Sequence, residues 1–336
     1  MSLLFVAALA AVVAPSSIEN ARIEVRSGTT PAAALAEAAR IKGETWVGWS
    51  VAAVPRSGEA CCFDRGFERT GCSLGESNGS WGSTHDDAHA GGDEIFILVR
   101  TTEGDPSRVR MVSPSCPVRG EDRRLLWLGP ADAGASLAAL GKFLDASDDE
   151  VSQSALAAVA HHADARADAP IARRALDRSA PKETRQQAMF WAAQARGRSG
   201  YQLVEGILRS DPSAQIREQA VFSLSQSPLP EAPERIKRAS LEDRDPEVRA
   251  QALFWLAQTQ VAGAGEWIVS RLDADQSAHV REQAVFALSQ LKDGTDWLLD
   301  VLHSKRDRST IRQALFWLGQ SQDPRALTEI EKILDR

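Results

Sequence analysis

The residues best suited to chemistry lie in and just after one polar loop, residues 71–92. Thr84-His-Asp-Asp-Ala-His89 places two histidines four positions apart, and Asp93 follows shortly afterwards. Imidazole and carboxylate groups are common metal ligands, so His85, His89 and Asp93 are weak candidates for a metal site. On a helix the two histidines would share a face, but the flanking glycines and serines favour a solvated loop. A metal-dependent binder or hydrolase that uses this loop is an alternative function.

Signatures of the common enzyme classes are absent from the sequence. It contains no nucleophile elbow, Walker loop, zinc-protease motif or dinucleotide fingerprint. His161-His162 lies in an apolar run, where we expect one ring to pack and the other to face water. The sequence therefore predicts no catalytic residue and no cofactor, and it favours a protein that is not an enzyme.

The charge balance argues against a nucleic-acid partner. The formal net charge is −7 and the pI is about 5.5. Binding to phosphates requires a concentrated basic surface, and the predicted helices mix both signs of charge. We expect a protein partner instead, and no nucleic acid.

All four cysteines, Cys61, Cys62, Cys72 and Cys116, lie in the first 116 residues. An even number in one small domain of an exported chain predicts two disulfides, with three connectivities open. Cys61 and Cys62 would face opposite sides of an extended strand, so we expect them to pair with different cysteines. A zinc site is the weaker alternative, because the spacings lack the short paired knuckles that zinc favours.

The first 14 residues form an apolar run that is too short to span a bilayer. A small polar cluster, Pro15-Ser-Ser17, follows it. This pattern predicts a signal peptide over residues 1–17, although the usual positive charge at its start is missing, and a buried N-terminal helix is the alternative. We expect a periplasmic or secreted protein without an integral membrane segment after removal of the signal.

Residues 22–130 read as a small α+β domain closed by disulfides. An alanine-rich helix begins at Pro31, where proline suits the first turn. β-Branched and aromatic runs such as 45–54, 93–101 and 124–128 are bounded by Gly and Pro, which predicts strands. A β-sandwich is the competing fold.

Residues 133–336 repeat one helical phrase five times, written in full as Gln251-Ala-Leu-Phe-Trp-Leu-Ala-Gln258. Its first glutamine recurs after 32, 32, 32 and 30 residues, at Gln187, Gln219, Gln251, Gln283 and Gln313. A period of this length without strands between the copies is typical of an α-solenoid of stacked helix pairs. One such pair is predicted over 246–259 and 264–273.

The phrase from Asp245 to Ala257 resembles a short bacterial HEAT repeat of the phycobilisome-lyase class, and the resemblance covers residues 148–336. It implies a mainly α, right-handed α-solenoid that serves as a protein-binding scaffold; a few members act on bilin chromophores. It also implies that aspartates in the turns pair with arginines of neighbouring repeats. The expected members are Asp211, Asp245 and Asp307 with Arg217, Arg249, Arg281 and Arg312.

Every repeat carries a phenylalanine between its two glutamines, and these align on one helix face. The five are Phe190, Phe222, Phe254, Phe286 and Phe316. We favour a stripe that packs between neighbouring helices; an exposed protein-docking strip is the alternative. The next residue alternates between large and small, Trp191, Ser223, Trp255, Ala287 and Trp317, which indicates a duplicated unit of two repeats.

Taken together, these patterns predict an exported HEAT-repeat scaffold that binds another protein, of unknown identity. A bilin-lyase-like protein is a further alternative. The export signal and the lack of a chromophore-attachment cysteine in the repeats weigh against it.

Overall fold

The computed structural model describes residues 12–57, 59–63, 72–75, 80–84 and 90–334. The chain divides into two compact units, the first ending at Ile171 and the second beginning at Ala172. The predicted division at 130–133 coincides with the change from strands to helices, but the first unit continues beyond it, because two further helices pack with its strands.

The first unit contains short and long strands, which are named here in chain order. They are β1 Ile18–Glu19, β2 Arg22–Val25, β3 Glu44–Ala52, β4 Arg56–Ser57, β5 Glu59–Phe63, β6 Cys72–Ser73, β7 Ser80–Thr84, β8 Ala90–Gly91, β9 Glu94–Thr102, β10 Asp105–Val112, β11 Val118–Arg119 and β12 Arg124–Pro130. Five of them form one mixed sheet in the order β10-β9-β3-β12-β2. β9 is antiparallel to β3 and β10, whereas β12 is parallel to both β3 and β2.

Helices are the main element in the described part of the chain. They are α1 Pro31–Ala38, α2 Ala133–Gly141, α3 Asp149–Ala160, α4 Asp168–Leu176, α5 Lys182–Ala195, α6 Gly197–Ser210, α7 Ala214–Ser225, α8 Ala232–Glu242, α9 Pro246–Gln258, α10 Ala264–Ala274, α11 Ala278–Ser289, α12 Gly294–Leu302, α13 Arg308–Gln320 and α14 Pro324–Leu334. Among the described residues, none of these helices combines the length and apolar character needed to cross a membrane.

The central strand β3 is buried on both faces, because alternate side chains of a strand point to opposite sides of the sheet. On one side, Trp46 packs with Phe96, Leu98 and Trp127 in the core cluster. On the other side, Trp49 Nε1 donates a hydrogen bond of 2.8 Å to Ser136 Oγ of α2. The sheet therefore lies between two layers, with helices α1, α2 and α3 contacting its strands.

Cys61 of β5 and Cys116 form a disulfide inside the Trp46 cluster, with their Cα atoms 5.6 Å apart. Both residues are buried. The side chains of Cys62 and Cys72 are not among those that the structure describes, so the second predicted disulfide stays a prediction.

Both histidines of the 161–162 pair are buried, so the expectation that one ring faces water is wrong. His162 Nε2 lies 2.9 Å from Ser136 Oγ, and its Nδ1 lies 2.8 Å from the Ala158 carbonyl oxygen. His161 Nδ1 contacts the Ala157 carbonyl oxygen in the same way. These bonds satisfy polar groups that would otherwise be costly to bury.

Part of the predicted signal peptide contacts the first unit. Val12 packs against the Trp46 cluster, and Trp127 Nε1 donates a 3.1 Å hydrogen bond to the Val13 carbonyl oxygen. Cleavage near Ala14 would remove both contacts. The signal peptide over residues 1–17 remains a prediction.

The second unit is a stack of helix pairs, α5/α6 through α13/α14. The first helices of the pairs, α5, α7, α9, α11 and α13, contact one another in series, and each is followed by its second helix. Local signals set the helix ends: Asp245 accepts a hydrogen bond from the Glu247 backbone N–H at the start of α9, where Pro246 occupies the first turn. The predicted right-handedness of the stack stays a prediction.

Candidate protein-binding surface

Eight aromatic side chains form one continuous row along the first helices of the second unit. In order of contact the row, called the aromatic row below, is Trp191, Phe190, Phe222, Trp255, Phe254, Phe286, Trp317 and Phe316. Each ring touches the next at a centroid distance between 4.6 and 5.9 Å. The five phenylalanines predicted as a stripe thus lie together, and the tryptophans join them.

Two kinds of contact alternate along the row. Phe190 stacks on Phe222 with an interplanar angle of 13°, and Phe254 stacks on Phe286 with an angle of 7°. A tryptophan bridges the intervening gaps: Trp255 lies 4.6 Å from Phe222, and the equivalent distance from Trp317 to Phe286 is 4.7 Å. The alternation therefore has a physical basis, because Trp255 and Trp317 each cover the phenylalanine of the preceding repeat.

The small residues of the alternation lie at fully buried positions. Ser223 and Ala287 are fully buried, whereas Trp255 and Trp317 keep part of their surface exposed. The Ser223 hydroxyl donates to the Gln219 carbonyl oxygen within its own helix. Volume at this position is thus matched to the space between neighbouring helices.

The aromatic row is packed along its length and also partly open to solvent. The first four phenylalanines are half-buried, and Phe316 of the last pair is 56% exposed. Exposed glutamines such as Gln226 and Gln258 follow one turn later on the same face. The row therefore offers an apolar surface edged by amide groups.

Two grooves open along this face, and five residues of one correspond to five residues of the other. The first contains Glu218, Gln219, Phe222, Gln251 and Trp255. The second contains Glu282, Gln283, Phe286, Gln313 and Trp317. The residues correspond in order, so the grooves follow the two-repeat unit that the sequence indicates.

Several carboxylate groups lie near the first groove. Burial raises the pKa of the Glu218 carboxyl, and the carboxylates of Glu247 and Asp245 raise it further, against the opposing effect of Arg217. A carboxylate oxygen of Glu247 lies 2.8 Å from His279 Nε2. No hydrogen-bonding partner of Glu218 lies within the part of the chain that the structure describes.

Behind this face, buried arginine–aspartate pairs join successive repeats; they are called the Arg–Asp ladder below. Arg185 pairs with Asp211 at 2.6 Å, Arg217 with Asp243 at 2.8 Å and Arg249 with Asp275 at 2.8 Å. Burial acts to raise the Asp211 pKa, but hydrogen bonds from Arg185 and from the Ser213 N–H hold it below its ordinary value. The balance at Asp275 is the same, with Arg249 and the Ser277 N–H.

The expected membership of the Arg–Asp ladder needs correction. Asp245 caps α9 and pairs with no arginine of the described residues, because the turn presents Asp243 to Arg217 instead. Asp243 and Asp275 were missed, although counting 32 residues onward from Asp211 finds both. Arg185 was also missed, although it lies two residues before Gln187, as Arg217 lies two residues before Gln219.

The ladder also stops before the last repeat. Arg281 donates to the backbone carbonyl oxygens of Asp275 and Gln276 and not to Asp307, which caps α13. Arg312 is exposed, and Ile311 occupies the position equivalent to Arg281. The last predicted member is thus outside the ladder because its helix is one residue out of step.

Of the three predicted metal candidates, the structure describes Asp93 alone. His85 and His89 lie outside the described residues. Asp93 is exposed, and its backbone carbonyl oxygen accepts from the Ala53 N–H at 2.8 Å. Within the described ranges, no group of three His, Cys, Asp or Glu side chains could hold a metal ion.

Comparison with known proteins supports the repeat assignment. Residues 311–336 match the family described as PBS lyase HEAT-like repeat, which confirms the predicted resemblance. No curated protein matches the sequence.

Similar solved structures share low identity with this chain. YibA from E. coli is 19% identical, with a TM-score of 0.36 over 61% of this chain and 79% of YibA. Human deoxyhypusine hydroxylase in complex with glycerol is 12% identical, with a TM-score of 0.29 over 56% of this chain and 85% of its own. The S. pombe condensin Cnd3–Cnd2 subcomplex is 17% identical, with a TM-score of 0.33 over 56% of this chain and 28% of that one.

Proposed function

We propose that this chain, whose helical part is built of HEAT-like repeats, is a scaffold that binds another protein along the aromatic row. The observation that carries the proposal is the row itself, eight rings in continuous contact that remain partly open to solvent. Soluble proteins seldom leave long apolar surfaces uncovered without a binding role. Aromatic side chains also contribute most strongly to protein interfaces.

The aromatic row suits an elongated partner segment better than a compact small molecule. It crosses the first helices of five successive pairs, which are α5, α7, α9, α11 and α13. Amide groups recur along it at each repeat. Glutamine side chains can both donate and accept hydrogen bonds. A peptide backbone laid along the row would therefore find apolar contacts and amide partners at regular intervals.

We further propose that the protein works outside the cytoplasm, in the periplasm or after secretion. The apolar start of the sequence supports this, as does the pairing of Cys61 with Cys116, because structural disulfides persist mainly in oxidising compartments. N-terminal sequencing of the protein purified from its own cells tests the proposal. A chain that retains Met1 and stays in the cytoplasmic fraction would contradict it.

Photocrosslinking in the source cells tests the binding surface. A benzophenone amino acid replaces the exposed Gln258, which lies one turn beyond Phe254, and in a matched control it replaces the exposed Leu241 on the second helix α8. We expect one specific protein adduct from position 258 and none from position 241. Equal adducts from both positions, or none from 258, would contradict the proposal.

A variant with Phe222→Leu and Phe286→Leu separates binding from folding. Leucine keeps most of the apolar volume, so the helices should remain folded, but it removes the flat ring faces. We expect the adduct from position 258 to fall several-fold while the thermal unfolding of the variant stays cooperative. An unchanged adduct would show that the rings serve packing alone.

A further inference from the structure

We propose that the two grooves on the aromatic row are paired pockets, each of which takes one lysine or arginine side chain of a single extended partner segment. The inference rests on the proposed protein-binding function and specifies the chemistry of the partner. The first pocket is formed by Glu218, Gln219, Phe222, Gln251 and Trp255, and the second by Glu282, Gln283, Phe286, Gln313 and Trp317.

Each pocket contains an aromatic corner suited to a cation. In the first, the Phe222 and Trp255 rings are tilted by 53° with centroids 4.6 Å apart; in the second, Phe286 and Trp317 are tilted by 36° at 4.7 Å. Trp255 and Trp317 each line a groove and keep part of the indole ring exposed. A cation within about 6 Å of the face of an aromatic ring is attracted by the ring quadrupole, most strongly by tryptophan.

A carboxylate lies beside each aromatic corner. Glu218 is half-buried and Glu282 is exposed, and neither forms an ion pair or hydrogen bond within the described chain. Around Glu218 the nearby charges are mainly negative, since Glu247 and Asp245 both act to raise its pKa. An incoming ammonium or guanidinium group would relieve this repulsion, which a neutral or acidic side chain would not do.

The two pockets differ in one charge. Arg312 lines the second pocket. The first pocket is lined instead by Lys182 and by the additional carboxylate of Glu183. The Lys182 ammonium group is hydrogen-bonded to Gln215. The first pocket should therefore hold its cation more tightly. Replacing Arg312 by glutamine should strengthen the second pocket.

Contacts between a cation and an aromatic ring also occur within the chain itself. The Arg271 guanidinium carbon lies 5.3 Å from the Trp267 ring centroid, and Lys237 Nζ lies 6.0 Å from it. In the first unit, Trp46 has Arg110 at 5.6 Å and Arg100 at 5.9 Å. Trp255 and Trp317 differ because no cation of the described chain covers them.

The spacing of the pockets predicts the spacing of the partner's basic residues. The pockets are two first helices apart, and packed helices lie about 8–10 Å from one another, so the separation is about 16–20 Å. An extended chain advances about 3.3 Å per residue. The partner should therefore carry two basic residues about five or six positions apart.

Synthetic peptides test the inference directly. The probes are fluorescein-labelled Gly/Ser peptides with two lysines six positions apart, the same peptide with both lysines acetylated, and one with the lysines two positions apart. Binding is followed by fluorescence anisotropy at low salt. We expect the first peptide to bind at least about tenfold more tightly than the others, because only it can occupy both pockets at once.

Matched variants assign the binding to the pockets. Glu218→Gln combined with Glu282→Gln should weaken the first peptide about tenfold, whereas Arg312→Gln should strengthen it. Glu266→Gln combined with Glu331→Gln changes the net charge equally at exposed positions on α10 and α14 and should have little effect. Equal weakening by both pairs would mean that only overall charge matters and would overturn the inference, as would tight binding of the acetylated peptide.

Failure of the paired-pocket inference can be distinguished from failure of the proposed protein-binding function. If crosslinking at position 258 identifies a partner whose binding survives Glu218→Gln with Glu282→Gln, the aromatic row binds protein but the paired cation pockets are wrong. If the peptides behave as expected and no adduct forms, the pockets are right and the cellular role as a scaffold is wrong.

Discussion

Each of the two units is stabilised by a different kind of internal contact. In the first unit, neighbouring strands come from distant parts of the sequence: β2 pairs with β12, with Arg22 opposite Arg124. In the second unit, each helix contacts helices close to it in sequence, and the same contacts recur every 32 residues. The first unit therefore depends on contacts between distant parts of the sequence, whereas the stability of the second is close to a sum over repeats.

The two units also differ in how much apolar surface they leave available for recognition. The core of the first unit is closed, with β3 buried on both faces. The repeats, by contrast, bury their charges in the Arg–Asp ladder and leave the aromatic row partly open on another face. A repeating stack can thus present a long surface at little cost to its core, which a single closed sheet cannot do.

The largest effect is expected from Gly48→Val at the centre of the sheet. A Cβ atom there would lie 2.8 Å from Leu98 Cδ2 and 2.9 Å from a Trp127 ring carbon. Overpacking of this kind costs about 3 kcal/mol or more, so the first unit should fail to form its near-UV circular dichroism signal while the repeats stay helical. Gly92→Ala, which meets no neighbouring atom, is the control, and a native signal from Gly48→Val would contradict the two-sided core.

Arg185→Met should have the next largest effect, and it should act on the repeats alone. It leaves the buried Asp211 carboxylate without its partner, which typically costs about 3–5 kcal/mol. The matched control is Arg306→Met, which breaks the more exposed pair with Asp273 and should cost about 1 kcal/mol or less. Urea unfolding followed by far-UV circular dichroism measures both, and equal losses would argue against the Arg–Asp ladder as a stabilising element.

Cys116→Ala tests the covalent link that the repeats lack. The disulfide joins Cys116 to Cys61, and the two are 55 residues apart in sequence. Removal of such a link lowers the free energy of unfolding by about 2–5 kcal/mol. We expect a lower unfolding temperature for the first unit and no change in that of the second. A reducing agent should reproduce the shift in the wild-type protein, and a uniform shift of both transitions would show that the units do not unfold separately.

The smallest effect, and the only stabilising one, is expected from Glu218→Gln. Its pKa is raised by burial and by Glu247, Asp245 and Asp243, with Arg217 opposing, and Lys182 and Glu183 line the same groove. A raised pKa means that the charged form costs stability at neutral pH and that this cost disappears as the pH falls through the folded-state pKa. The variant should therefore be more stable at pH 7 and equal to wild type in acid, as measured by thermal unfolding; a constant difference at all pH values would contradict this.

Much of the second unit could be predicted from sequence, because its contacts are local and repeat. The predicted helices 246–259 and 264–273 correspond to Pro246–Gln258 and Ala264–Ala274. The phenylalanine stripe and the alternating tryptophans also follow from spacing, whereas the HEAT-like character follows from the resemblance of the repeated phrase to that family. Helical periodicity fixes which residues share a face, and the repeat fixes which faces meet.

The partner that each side chain takes depends on the packed fold and could not be predicted from the sequence. The turn geometry selects Asp243 over Asp245 for Arg217, and the packing of α2 buries His162 against Ser136. Likewise, spacing placed Trp255 next to Phe254, but the fold also set it against Phe222 of the preceding repeat. A sequence pattern specifies the face on which a side chain lies, whereas its contacts depend on rotamers and on neighbours that only the packed chain brings within reach.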